Sequence, residues 1–226
     1  MKHFLLLVTA IILLSAGRII GQVGNITDFG GKPMNASRYG QDIQGSPFLS
    51  PSYQLGDIML SKKTVSGQKL MYDMHTDELL IKNDESILIA NSATIKGFVI
   101  NVLDNTTSES TRYTFKNGFK NIGKYDENAF FCMYFDSEKV KVVSKKYVEK
   151  VDQAASYGAT SKTTVFNNYE DFFLIENNVV TPFKKGKGLL KAIKDDGKLK
   201  KYAQINKIDI STPAGIAKIM NQYLAK

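Results

Sequence analysis

The chain has 226 residues, 43% of them hydrophobic and 23% charged, with 30 Lys and Arg against 22 Asp and Glu. That balance excludes a disordered chain, and the length suits one domain, alone or with a small appendage. One Cys and two His exclude a disulfide framework and a multi-Cys zinc centre.

Met1-Lys2-His3 is a short basic start, Phe4 to Leu14 is an apolar run of eleven residues, and Ser15-Ala16-Gly17 supplies small residues. This is the pattern of a secretory signal peptide over 1–17, cleaved after Gly17. A membrane anchor needs about 20 apolar residues, and Ser15 to Arg18 interrupt the run well before that. The only Cys, Cys132, lies far from the cleavage point, so no lipid is attached there through a Cys. The expected location is the periplasm, the outer membrane surface or the medium. An unpaired Cys132 in an exported chain reads as a small buried hydrophobe.

Residues 18–56 read as a flexible leader, with seven Gly, three of the five Pro and no hydrophobic period. Asn25, Asn35 and Asn105 match the N-glycosylation sequon, a chance match if the source is bacterial. A β domain is expected over 57–183. Ile58 to Leu60, Leu70 to Met74, Leu79 to Ile81, Ile87 to Ile89 and Ile95 to Leu103 are short apolar or alternating runs with turn residues between them. Tyr113 and Phe115, then Phe130 to Phe135 and Val140 to Val148, continue the series. Residues 153–168 are polar and predict a loop. Phe172 to Ile175 and Val179 to Phe183 flank Asn177-Asn178, a hairpin signal. About eight or nine strands with hairpin-length connections predict an α+β, mostly β fold. The expected architecture is an antiparallel meander, curved or partly closed into a barrel, with the aromatic strand 130–135 lining its inside.

Residues 184–226 predict short helices that close one face of the sheet. Thr212-Pro213 is a helix start, since Thr caps free amides and Pro suits the first helical position. Ile216, Ile219, Met220, Tyr223 and Leu224 then form one apolar stripe, expected to pack on the β domain. This segment also concentrates the charge. It holds eleven Lys and three Asp, net +8, whereas residues 18–183 carry eighteen basic and nineteen acidic groups, net −1. The plain reading is a solvated helix face. The sharper reading is a docking surface for anionic lipid, an acidic polymer or an envelope protein, with Lys184, Lys185, Lys187, Lys200 and Lys201 as candidate contacts. Nucleic acid is not an expected partner, because the segment has no Arg and little to stack on bases.

Little catalytic chemistry is available. After signal removal His75 is the only His, so a Ser-His-Asp or Cys-His device must use it, with Asp73 or Asp77 to orient the ring. The plainer reading places His75 at an exposed hairpin corner. Lys184-Lys185-Gly186-Lys187-Gly188 lacks the spacing of a phosphate-binding loop, and no EF-hand loop or other cofactor motif is present. No metal site or cofactor is expected.

Three stretches carry a resemblance: Gly45-Ser46-Pro47-Phe48-Leu49, Met71-Tyr72-Asp73-Met74-His75-Thr76-Asp77-Glu78-Leu79, and Phe183-Lys184-Lys185 through Asn206-Lys207. Over residues 45–226 the layout resembles a family of uncharacterised exported proteins of Gram-negative, Bacteroidota-type bacteria. The resemblance implies an envelope location and one β-rich unit closed by helices, and no catalytic residue. The expectation is an exported, non-catalytic binding or structural protein. The alternatives are a hydrolase using carboxylates or His75, and a Lys-rich module docking on acidic envelope partners.

Overall fold

The computed structural model describes residues 29–34, 38–39, 43–83, 86–104, 106–154 and 162–225. The signal peptide expected over 1–17, the three sequon asparagines and Asp84-Glu85 lie outside the described residues.

Eleven strands form one antiparallel sheet: β1 (Lys32–Pro33), β2 (Gln54–Leu60), β3 (Thr64–Asp73), β4 (Glu78–Lys82), β5 (Ile87–Ile89), β6 (Ile95–Leu103), β7 (Ser110–Lys116), β8 (Phe131–Asp136), β9 (Val140–Ala154), β10 (Lys162–Glu176) and β11 (Val179–Phe183). Among the described residues three short helices follow: α1 (Gly188–Ala192), α2 (Lys198–Ile205) and α3 (Pro213–Leu224). The spatial order is β1-β5-β4-β3-β2-β6-β7-β8-β9-β10-β11. Two meanders therefore share the β2–β6 ladder: β2 to β5 runs one way from it, and β6 to β11 runs the other.

The sheet is strongly curved. Tyr72 of β3 and Phe115 of β7 stand three strand spacings apart in the ladder, about 14 Å on a flat sheet. Their ring centroids are 4.8 Å apart. Phe98 and Phe130 join the same cluster, and the first core is built around it with Ile58, Leu70, Leu79, Ile95, Ile100 and Cys132. The curl does not close: β1 and β11 remain edges. Of the two expected forms, the curved sheet is the one present and the barrel is not. More strands form than expected, and β1, built from the segment read as leader, is one of the additional ones.

The leader is the main difference from expectation. In its described part, residues 18–56 include packed chain rather than a free linker. Phe29 is fully buried, and β1 pairs with β5. Residues 44–49 span the gap that the sheet leaves open. Gln44 bridges Val165 of β10 on one side, and Phe48 bridges Asp73 of β3 on the other. Four backbone hydrogen bonds hold this strap, from Gln44 N to Thr164 O, Phe166 N to Gln44 O, Leu49 N to Tyr72 O and Met74 N to Pro47 O, all of 2.8–3.0 Å. Gly and Pro content marked the segment as irregular, and irregular backbone with single bridges is what it forms.

The polar stretch 153–168 also differs. Its described ends extend β9 and β10, which pair from Val140↔Glu176 to Ala154↔Lys162. Both sides of this ribbon are largely wet, so its sequence lacks the alternation that marks a half-buried strand.

The β8–β10 region is covered on both faces. Val140, Val142, Phe172 and Leu174 face the helices and meet Leu189, Ile193, Leu199, Ile216, Ile219 and Met220. Val143, Phe173 and Phe131 face the other way, against Ile122 and Ala129 of the β7–β8 connection. Strand 130–135 thus lines the inside with Phe130, Cys132 and, half-buried, Tyr134, while Phe131 faces the second cover. The helix start at Thr212 is as expected, with its hydroxyl accepting from Gly215 N at 3.1 Å and Pro213 at the first helical position. Ile216, Ile219 and Met220 are buried, but Leu224 at the end of the expected stripe is exposed. Among the described residues no helix is long and apolar enough to cross a membrane.

Candidate functional site

His75 sits on the turn between β3 and β4, exposed at the corner. Its Nδ1 lies 2.9 Å from the carbonyl oxygen of Val148, so Nδ1 carries a proton and donates it. The ring edges onto Tyr39 and Phe166. Neither candidate carboxylate orients it. Asp73, fully buried, accepts from the His75 and Thr76 amides and from the Tyr39 hydroxyl at 2.6 Å. Asp77 accepts from the Tyr72 hydroxyl and pairs with Lys145. The two carboxylates next to His75 in sequence build the turn rather than an acid–base pair. Cys132 is buried, and burial pushes its thiol up to about 12, against the opposing pull of Lys146. A thiol so held is neutral and unreactive at ordinary pH. Among the described residues no group of three or more His, Cys, Asp or Glu side chains is placed to hold a metal ion.

The lysines behave differently, because the turn into α1 and the packing of α1 against α2 gather them. The end of β11 leads through Lys184 and Lys185 into α1, whose apolar side, Leu189, Leu190 and Ile193, is fixed on the second core. That anchoring leaves Lys187, Lys191 and Lys194, spaced by four and three residues, on the outer side. Three adjoining grooves follow. One of about 690 Å³ runs between Thr181–Phe183 and α1 and is lined by Lys184, Lys185, Lys187 and Lys191. A second, of about 510 Å³, is lined by Lys187, Leu190, Lys191, Lys194 and Lys200. A third, of about 340 Å³, lies between α1 and the end of α2 and adds Lys207. Lys187 lines all three.

Two acids line these grooves, Asp195 and Asp209. Asp195 accepts from the amides of Leu199 and Lys200 at 3.0 Å each and so caps α2. Asp209 accepts from Ser211 N and Oγ, which hold its carboxyl below the ordinary range. Seven ammonium groups against these two carboxylates leave the field positive, with Lys185 also 3.8 Å from Glu170. Of the candidate contacts, Lys184, Lys185, Lys187 and Lys200 come together here; Lys201 is exposed on α2 and does not line the grooves. Lys191, Lys194 and Lys207 belong to the surface and were not singled out from sequence. The 187/191/194 spacing was the available signal for the first two. Comparison with family models, with curated proteins and with solved structures gives no match for this chain.

Proposed function

We propose that the protein is an exported, non-catalytic binding protein of the cell envelope, and that its contact surface is the lysine face around α1. The observation that carries the reading is the convergence of Lys184, Lys185, Lys187, Lys191, Lys194, Lys200 and Lys207 on three grooves that share Lys187. Export is supported by the basic start, apolar run and small residues of 1–17. The chemistry recognised is a dense array of phosphate, sulfate or carboxylate groups, on a polymer or on lipid headgroups.

The test uses protein recovered from its native envelope. Its N-terminus is expected at Arg18, and a start at Met1 overturns export. Dextran sulfate and phosphatidylglycerol vesicles are titrated separately at rising salt, which separates a soluble polymer from a membrane surface. Each Lys near an anionic surface contributes about 1 kcal/mol, so joint replacement of Lys187, Lys191 and Lys200 by Ala is expected to weaken binding about a hundredfold. Replacement of Lys62, Lys69 and Lys96, on the β2–β6 side, is expected to change it far less. Equal effects of the two sets, or binding indifferent to salt, overturn the reading.

A further inference from the structure

Among the described residues Lys145 is the one buried lysine, with 3% of its surface exposed. Its Nζ lies 2.6 Å from Asp77 Oδ2, 3.0 Å from the Phe130 carbonyl and 3.3 Å from the Tyr72 hydroxyl. The rings of Tyr125 and Phe131 flank it, each centroid 5.8 Å away. The Tyr72 hydroxyl donates to the other oxygen of Asp77, Oδ1, at 2.5 Å. An amine, a carboxyl group and a donor aimed at the carboxyl oxygen thus share one largely apolar pocket.

We infer that Lys145 and Asp77 are the two halves of a self-forming amide cross-link that ties β9 to the β3–β4 turn. In water such a condensation is opposed because both partners ionise. Burial opposes that ionisation: it lowers Lys145 against the pull of Asp77, and it raises Asp77, whose side chain is 26% exposed, against Lys145, the Tyr72 hydroxyl and the Phe130 amide, which donates to Oδ2 at 3.3 Å. A proton passing from Nζ to Oδ2 along the existing contact gives a neutral amine and a neutral acid, with nothing added from outside. A nitrogen this close to one carboxyl oxygen is about 3.5 Å from the carboxyl carbon, near-attack range, and the reaction is unimolecular. Rotation of the lysine end carries Nζ over the carboxyl face. Nζ then bonds to Cγ, while Tyr72 stabilises the charge that develops on Oδ1. The bond from Cγ to Oδ2 breaks, and Oδ2 leaves with its own proton and one from nitrogen as water. Asp77 lines a cleft of about 280 Å³ with Gly30, Ala90 and Asn91, which gives the water a way out.

The position suits a staple. β3 and β9 are five spacings apart in the ladder, and this is where the curled sheet meets itself without closing. A chain with a single Cys cannot fasten that seam with a disulfide of its own.

Intact mass of the full protein, denatured and freed of ligands, decides the matter. The expected mass is one water below that calculated for the chain from its observed N-terminus, with a peptide map that joins the fragments holding Asp77 and Lys145. Lys145→Arg keeps the charge but has no amine able to condense, so it should show the full mass calculated from its own N-terminus. Asp77→Ala should also show full mass, and because the readout is mass, neither variant needs to be stable. A wild-type protein at the full mass calculated from its observed N-terminus, with Asp77 and Lys145 in separate peptides, overturns the inference.

Discussion

At the residue scale, the interior is organised by carboxylates that are satisfied rather than excluded. Glu170 of β10 accepts from the Tyr134 and Ser144 hydroxyls, each at 2.7 Å, and pairs with Lys146 at 2.7 Å. Burial on its own would raise this carboxyl, but Lys146 and the two hydroxyls hold it below its ordinary value. A carboxylate depressed in the folded chain and near about 4.3 in the unfolded one stabilises above that value. The contribution is lost as pH falls through the folded value. Glu170→Gln has no charge to lose. It is expected to be less stable than wild type by about 2 kcal/mol at neutral pH, the scale of hydrogen bonds to a charged group. The gap should narrow as pH drops below about 4. Asp136, also held low, by Lys116 and Lys141 against its own burial, is common to both proteins and cancels. Thermal melts of the two proteins across pH check this, and a gap that ignores pH removes Glu170 as its source.

At the element scale, local chemistry was legible where a turn or cap demanded particular residues. Asn177 and Asn178 adopt φ of 50° and 64°, the left-handed pair that a two-residue hairpin needs. Thr212-Pro213 starts α3 as its residue types require. Gly215 was not legible. A glycine inside a helix costs about 1 kcal/mol relative to Ala, so nothing in the sequence explains it. In the structure a Cβ at this position would lie 1.8 Å from the carbonyl oxygen of Asp209, because the turn before α3 packs directly against its first residues. The usual benefit of Gly→Ala in a helix should therefore reverse. Gly215→Ala is expected to destabilise by about 2–3 kcal/mol, the cost of overpacking against backbone that has no room to yield. Ala217→Gly supplies the ordinary propensity loss for comparison. Chemical denaturation of both variants checks it, and a stabilised Gly215→Ala would show that the Asp209 turn is free to move.

At the scale of the whole molecule, strand content and the C-terminal helical cover were readable, because half-buried strands alternate and a helix stripe repeats every three to four residues. The route of residues 44–49 and the reach of β9–β10 were not. Both depend on contacts between segments distant in sequence, such as Gln44 with Val165, and neither has an apolar period. The lysine surface lay between these cases. Its charge was plain in the sequence, but its grooves required the fold. The same architecture predicts uneven stability. Beyond Ser144, β9 has no β8 partner, and β10 meets β11 only from Phe172 onward. Residues 149–154 and 162–168 therefore pair mainly with each other, and a two-stranded ribbon is marginal in water. The hold on the body is the hydrogen bond from Val148 N to Met74 O, the strap at Gln44 and the Phe166 ring against Tyr39. Hydrogen exchange is expected to run fastest in 149–154 and 162–168 and slowest in β2, β3 and β6, whose neighbours lie on both sides. Lys145→Arg should speed exchange in 145–148 and in the 74–77 turn more than in β2 or β6, since the seam has the Val148 N to Met74 O hydrogen bond and side chains in place of a ladder. Uniform protection across ribbon and body would instead mean that the strap binds the ribbon as firmly as the ladder binds the core strands.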